Sequence, residues 1–514
     1  MKVMHLYMLK SNIIQQYYHL KHPYILIGIF ILTLLLRIIF LGSKCFWADE
    51  GITWFIAIGE VTEDAPLSYP YIFGWPMKLF GWNEFAGRFP SVIAGFFSIP
   101  IIYLIGKSFF SRNHGLIAAF IACVSAFLIP VSQEMRIYSL LGLEILLALL
   151  FFLHILKTEK IEIGWWIGLL LIGIIGQYTH CFFIFLLGYF FIALLVIRNE
   201  HRWRKAALSA IIIIMVIIAF IPQLSESLSV TGDRKHVIAD DFYHLGNNIY
   251  RTARSFFCFL FGDYLTNLPG TIAPYLRRNL FHFISAILMV CGWLVIAPAG
   301  LLNFIKYNKW DNFSSSAAKV ILGMLILFTF LFIFFDVSSA RHLIFAYVPF
   351  LFIFTSFWVY NFKPWKLYIL IVFIALNLIS LFSYYQSDYF ADERADWRKA
   401  AELLKEKAGP DDAVLLLRER NAYYTLKFYH RDLGGDVYYI PHREADYQRN
   451  KMGKEWWLNT NMMGKVDFLL KNHDRVWVIE SHLKGVGGGK LSADFKFEKW
   501  NFGPDLNVLL FTNQ

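Results

Sequence analysis

Charge and cysteine are both scarce in this chain of 514 residues. Only 17% of its positions are Asp, Glu, Lys or Arg, against about 25% in an ordinary soluble protein. A string of soluble domains is therefore excluded. Five cysteines give no disulfide framework, and no CxxC pair or HExxH helix marks a metal site. No metal ligand set is identified, and no cofactor is called for; a divalent metal assembled across helices is left open. The glycine-rich stretch from Gly485 to Gly489 lacks the GxxxxGK[ST] or GxGxxG setting of a phosphate loop and reads as a flexible hairpin. What abounds is apolar: 57% hydrophobic residues, among them 51 Phe, 27 Tyr and 16 Trp, with a mean hydropathy of +0.49. This composition rules out disorder and leaves a polytopic protein in a lipid bilayer. The net charge of +10 then calls for no nucleic acid, since membrane proteins gather Lys and Arg in cytoplasmic loops.

A helix crosses the hydrocarbon layer with about 20 apolar residues. Such runs fall at 24–41, 89–106, 114–131, 137–156, 163–179, 181–197, 206–222, 280–305, 318–335, 343–361 and 367–384, which predicts eleven spans. The run from Ile163 to Ile197 is divided at Gln177-Tyr178-Thr179-His180, because those polar groups are costly against lipid. Lys2, Lys10, Lys21, Lys107, Arg112, Lys157, Lys160, Arg202, Arg204, Lys306 and Lys363 then all fall on one side, which is cytoplasmic by the positive-inside rule. The N-terminus is expected inside, the C-terminal region outside, and the chain in the inner (plasma) membrane. No small-residue cleavage site follows the first run, so no cleavable signal peptide is expected.

The division this predicts is a transmembrane module over 1–384, with outer loops at about 43–88 and 223–280, and an extracytoplasmic domain over 385–514. In that domain a helical stretch runs from Trp397 to about Lys407. Strand-like runs follow at Ala413–Leu417, Val437–Ile440, Arg475–Glu480, Phe495–Phe497 and Val508–Thr512. The pattern reads as α/β with an antiparallel edge. Between 242 and 260 apolar residues recur at helical spacing opposite Asn247, Asn248, Arg251 and Arg254, predicting an amphipathic helix on the membrane surface.

Because the cytoplasmic connections are short, chemistry is sought on the outer face. Asp49 and Glu50 are adjacent carboxylates just beyond the first span. They suit a helix N-terminus, or a general base with a partner that orients it. Arg88, Arg136 and Arg341 sit in or beside outer turns, where bases are scarce. Each suits a snorkelling anchor or a local ion pair, and together they suit bidentate binding of an anion. Arg37 lies inside the first span, where a structural pairing with another helix is the plainer reading. One base with several arginines fits displacement of a phosphate from a sugar. The phosphate leaves as a stabilised anion and needs no acid, unlike the leaving group of a glycoside.

Trp47-Ala48-Asp49-Glu50-Gly51, then Pro66-Leu67, then Glu84…Arg88-Phe89-Pro90-Ser91 resemble the start of the GT-C membrane glycosyltransferases of family 39. That superfamily contains the protein O-mannosyltransferases and the aminoarabinose transferases of lipid A. Gln133-Glu134-Met135-Arg136-Ile137-Tyr138, Tyr178-Thr179-His180, Arg341-His342-Leu343 and Asp396-Trp397-Arg398 are similar to further landmarks. The resemblance implies a GT-C fold and a polyprenyl-phosphate sugar donor. It implies Asp49 as base with Glu50 in support, and an acceptor that is a lipid, a glycan or a protein. It implies Arg88 at the donor phosphate, directly or by shaping the site, with Arg136 and Arg341 as further phosphate contacts. Asp64, Tyr138, His180 and His342 are candidate donor or acceptor contacts. The family often has His or Lys before two prolines where this chain reads Asp64-Ala65-Pro66-Leu67, so that contact is not carried over unchanged. The competing expectation is a transporter or flippase of a lipid-linked saccharide. It predicts repeated halves and polar residues at the midplane, and no repeat is evident.

Overall fold

Uninterrupted apolar runs become helices because only internal hydrogen bonding satisfies a backbone kept from water. The computed structural model describes residues 23–59, 72–197, 201–230, 242–262, 280–308, 313–334, 340–360, 363–386, 395–417, 420–430, 435–438, 462–481, 496–503 and 506–512. Its helices are α1 Pro23–Ile38, α2 Ala48–Ala57, α3 Gly74–Phe80, α4 Glu84–Phe109, α5 Arg112–Cys123, α6 Leu128–Ser132, α7 Tyr138–Lys157, α8 Ile163–Thr179 and α9 Phe183–Val196. They continue with α10 Arg202–Val230, α11 Phe242–Phe261, α12 Leu280–Tyr307 and α13 Phe313–Phe334. A 3-10 turn Ala340–Leu343 leads into α14 Ile344–Val359, and α15 is Trp365–Gln386. Among the described residues six helical stretches are long and apolar enough to cross a membrane: α4, α7, Arg202–Pro222, Ser315–Phe334, Ala340–Val359 and α15. Four more are apolar and shorter: α1, α8, α9 and Leu294–Tyr307.

These segments answer to every predicted span but one. The run 114–131, read as a single helix, is broken into α5 and α6. The break is stabilised group by group. The Ser125 hydroxyl accepts from the N–H groups of Phe127 (3.3 Å) and Leu128 (3.2 Å), and the Asn377 side chain accepts from the Ala126 N–H (3.0 Å). Arg37, fully buried, donates to the Cys123 and Ala122 carbonyls at the end of α5, each at 3.3 Å. A guanidinium there meets both the freed acceptors and the negative end of the helix dipole. Gln133 closes α1 in the same way, donating to the carbonyls of Arg37 and Ile39 at 2.9 Å each.

The chain falls into two compact units, Met1–Ile39 with Pro90–Ser383, and Phe40–Phe89 with Tyr384–Gln514. The first holds most of the long apolar helices. There α11 packs against α13 and the 3-10 turn, burying Asn248, Thr252 and Ser255 while Ile249 stays exposed. Asn248 of the predicted polar stripe therefore points into the unit, while Arg251 and Arg254 are half-buried.

In the second unit, α16 Trp397–Lys407, β1 Asp412–Leu417, α17 Arg420–Tyr429, β2 Gly435–Tyr438, α18 Met462–Leu470, β3 Arg475–Ser481, β4 Lys496–Asn501 and β5 Leu506–Thr512 build a sheet of order β2-β1-β3-β5-β4. β1 is parallel to β2 and β3, while β5 is antiparallel to both β3 and β4. Alternate strand residues face opposite sides. Val414, Leu416, Trp477 and Ile479 pack on Trp397, Ala401 and Leu404 of α16. Ala413, Leu415, Val476 and Val478 pack on Val466 and Leu469 of α18. The expected α/β domain with an antiparallel edge is the one observed.

That unit also takes in residues 40–89, which the sequence reading placed with the transmembrane module. The reason is the docking of α2 on α17. A Cβ on Gly51 would stand 2.2 Å from the Thr425 hydroxyl oxygen and 2.7 Å from its backbone nitrogen, so only glycine admits this approach. Phe46 and Trp54 meet Phe428, and Phe55 meets Tyr424.

Replacing Arg37 by leucine strands the buried carbonyls at the end of α5 and should cost about 2–4 kcal/mol. Denaturation of the detergent-solubilised protein checks this, and unchanged stability would show that Arg37 does not cap the break.

Candidate active site

Asp49 and Glu50 occupy the first turn of α2, where acidic side chains meet the positive end of the helix dipole. Glu50 is completely buried and Asp49 half-buried. The Glu50 carboxylate is gripped by Arg88 through two parallel bonds, Nε to Oε1 at 2.8 Å and Nη2 to Oε2 at 2.7 Å. Its Oε2 also accepts from the Trp47 backbone N–H at 3.4 Å, so the side chain folds back over its own helix start.

The remaining donors of Arg88 go to main-chain oxygens. Nη1 reaches Leu41 and Lys44, each at 2.9 Å, and Nη2 reaches Cys45 at 3.1 Å. A guanidinium carries five N–H groups, and here all five point at protein oxygens. Arg88 thus fastens the 41–45 segment and the α2 N-terminus to the start of α4. The arrangement offers no remaining N–H for a bound phosphate.

A second set of contacts holds the same turn. The Tyr429 hydroxyl donates to Glu84 Oε1 at 2.9 Å and accepts from the Phe46 N–H at 2.6 Å. Burial, with Cys45 and Glu84 nearby, pushes the Tyr429 phenol well above its usual range, so it remains a donor. Arg398 pairs with the same Glu84 oxygen. Lys44 donates to the Tyr384 carbonyl at 2.7 Å. The Asp396-Trp397-Arg398 landmark resolves into an N-cap on the Lys399 N–H, a fully buried ring and an ion pair.

The other candidates that can be placed converge in the first unit. Arg341 lies 3.6 Å from Glu134, both nearly buried. The guanidiniums of Arg341 and Arg136 lie over the Tyr138 ring at 5.7 and 6.0 Å. Tyr138 meets the His342 ring edge-on at 5.2 Å, and Arg341, Arg136 and His180 are the charged or titratable neighbours of His342. The Phe182 N–H donates to His180 Nδ1 at 3.2 Å. This is a cluster of two arginines, aromatic and imidazole rings and one glutamate, in which the cations outnumber the acid. Asp64 and the Gly485–Gly489 stretch lie outside the described residues.

Sequence reasoning missed Glu134 as the partner of Arg341 and Tyr429 as the link between Glu84 and Phe46. It also missed Glu144, buried in α7 and accepting from the Thr179 hydroxyl at 2.9 Å. An intramembrane glutamate is itself a signal; Tyr429 carried none. Among the described residues no three His, Cys, Asp or Glu side chains cluster as metal ligands would.

The fold is that of the GT-C membrane glycosyltransferases, as the resemblance in the sequence implied. The apo crystal structure of ArnT from Cupriavidus metallidurans matches with a TM-score of 0.58 at 12% identity, covering 97% of this chain and 98% of that one. The oligosaccharyltransferase AglB from Archaeoglobus fulgidus, in complex with an inhibitory peptide and a dolichol-phosphate, matches with a TM-score of 0.54 at 13% identity. That match covers 90% of this chain and 69% of the other. Residues 64–225 match the family model of dolichyl-phosphate-mannose-protein mannosyltransferase. No curated protein matches by sequence.

Removing one member of a buried ion pair strands the other, at about 3–5 kcal/mol. Glu50→Gln and Arg88→Met should each destabilise on that scale. The double variant should cost clearly less than their sum, a difference that a double-mutant cycle on unfolding measures. Additive costs would mean the pair is not coupled.

Proposed function

We propose that this chain is an inverting glycosyltransferase that moves a sugar from a polyprenyl-phosphate donor to an extracytoplasmic lipid, glycan or protein acceptor, with Asp49 as the general base. The observation that carries the reading is the first turn of α2. There the Glu50–Arg88 pair fixes the backbone that presents the half-buried Asp49. Support comes from the fold it shares with ArnT and AglB.

In the proposed step the acceptor hydroxyl or amine attacks the anomeric carbon as its proton passes to the Asp49 carboxylate. The bond from that carbon to the phosphate oxygen breaks, and the electron pair leaves on polyprenyl phosphate. A single displacement inverts the anomeric centre. Glu50 and Arg88 act as positioning residues, Arg88 by shaping the site, since its donors are directed at protein oxygens. Arg136 and Arg341 neutralise the donor phosphate, and Tyr138, His180 and His342 are further contacts to donor or acceptor. Asp64 remains a candidate contact to donor or acceptor. In this reading the protein sits in the inner membrane, its N-terminus cytoplasmic and its C-terminal domain outside.

In proteoliposomes supplied with the lipid-phosphate donor, Asp49→Asn should lower turnover by about 100-fold or more, the usual contribution of a positioned base. Turnover near wild type would remove Asp49 from that role. Movement of the lipid-linked sugar across the bilayer without any transfer would instead favour a flippase.

A further inference from the structure

The second unit holds a cleft of about 400 Å³ lined by Trp54, Phe55 and Ala57 of α2, the following Ile58, Lys78 of α3, Trp82, and Lys427 of α17. That volume lies within the roughly 300–1,000 Å³ range of small-ligand sites. Its chemistry differs from that of the arginine cluster around Tyr138. Trp54 is buried and held edge-on by Phe428, while Trp82 meets it at 6.4 Å, nearly perpendicular, and keeps 43% of its surface exposed. Trp82 therefore offers the cleft a flat apolar face with a polar N–H edge, and the buried Trp54 fixes its orientation from behind. Lys78 and Lys427 each stand in the last turn of their helix. Lys427 also lies over the Tyr423 ring, 5.3 Å from its centre. Among the described residues the lining holds two lysines and no carboxylate.

We infer that this cleft binds a saccharide bearing an anionic group, the exposed Trp82 indole packing against the C–H face of a pyranose and the lysines pairing with a phosphate or carboxylate. The inference rests on the glycosyl-transfer reading for its biological sense: the occupant is a remote part of the acceptor. At about 1.5 Å of rise per residue, Trp54 and Ala57 stand roughly 8 and 12 Å along α2 from Asp49. A single sugar at the reacting end does not extend that far, so the cleft reads a second or third unit of the acceptor. Binding energy gained there serves to hold the acceptor for reaction at a distance. A purely apolar wall would have suited lipid tails; two lysines in the lining favour a charged glycan.

The test uses the full chain in nanodiscs carrying Asp49→Asn, so that binding is read without turnover. Three probes are titrated by tryptophan fluorescence and calorimetry: a hyaluronan tetrasaccharide, a phosphorylated maltotriose and neutral maltotetraose. Vesicles of phosphatidylglycerol serve as the lipid arm. Saturable binding of at least one anionic oligosaccharide is expected, about tenfold or more tighter than the neutral one. The Lys78→Ala/Lys427→Ala double variant should weaken it by at least as much, and Trp82→Ala should weaken the anionic and neutral sugars alike. Equal binding of charged and neutral sugars, binding untouched by the lysine variants, or competition by phosphatidylglycerol vesicles alone would each overturn the assignment. Because Asp49 is already replaced, failure here leaves the transfer reaction standing, and failure of Asp49 as base leaves this cleft standing.

Discussion

The Glu50–Arg88 pair is the constraint on which the candidate site depends. Both side chains are removed from water, and a buried pair recovers its desolvation cost only when geometry is good and every remaining donor and acceptor is met. Here it is good: two parallel bonds join the charges, and three main-chain carbonyls take the other guanidinium donors. Those carbonyls belong to residues 41–45, the segment between α1 and α2. One side chain from α4 therefore sets where α2 begins, and hence where Asp49 stands. A lysine could not repeat this, having a single rotating ammonium in place of a planar fork.

The C-terminal domain extends the same logic. Tyr429 and Arg398 converge on Glu84, in the first turn of α4, and Tyr429 also takes the Phe46 N–H two residues before α2. The sheet and its helices are thus the platform that holds α2, through α17 and the missing side chain of Gly51. In the other unit a comparable economy governs the broken helix between Cys123 and Leu128. Arg37 and Asn377, both inward-facing polar residues on apolar helices, satisfy the backbone that the break exposes.

Much of the fold was legible in the sequence because apolar length and strand alternation are local signals. The long helices lie where their runs predicted, and all five strands overlap theirs, β2 and β4 by only two residues each. The 114–131 run misled because Ala122 through Phe127 is apolar enough to pass for helix; what breaks it is a serine cap and partners from residues far away in sequence. The grouping of residues 40–89 with the tail was hidden for a similar reason. It rests on Gly51 against Thr425, a contact with no local pattern. For the site, adjacent acids and loop-end arginines stood out by type and position. Their pairing did not: Arg88 faces Glu50, whereas Arg341 faces Glu134. An arginine's bonding partners are decided by packing, which composition does not record.

The reaction proposed for this chain is a single displacement served by one carboxylate. Its most direct test is the configuration of the product. With an anomerically defined lipid-phosphate donor and the acceptor identified by mass spectrometry, proton NMR of the new glycosidic linkage should show the anomeric configuration opposite to the donor's. Retained configuration would require a second displacement or a different chemistry, and would contradict the role given to Asp49.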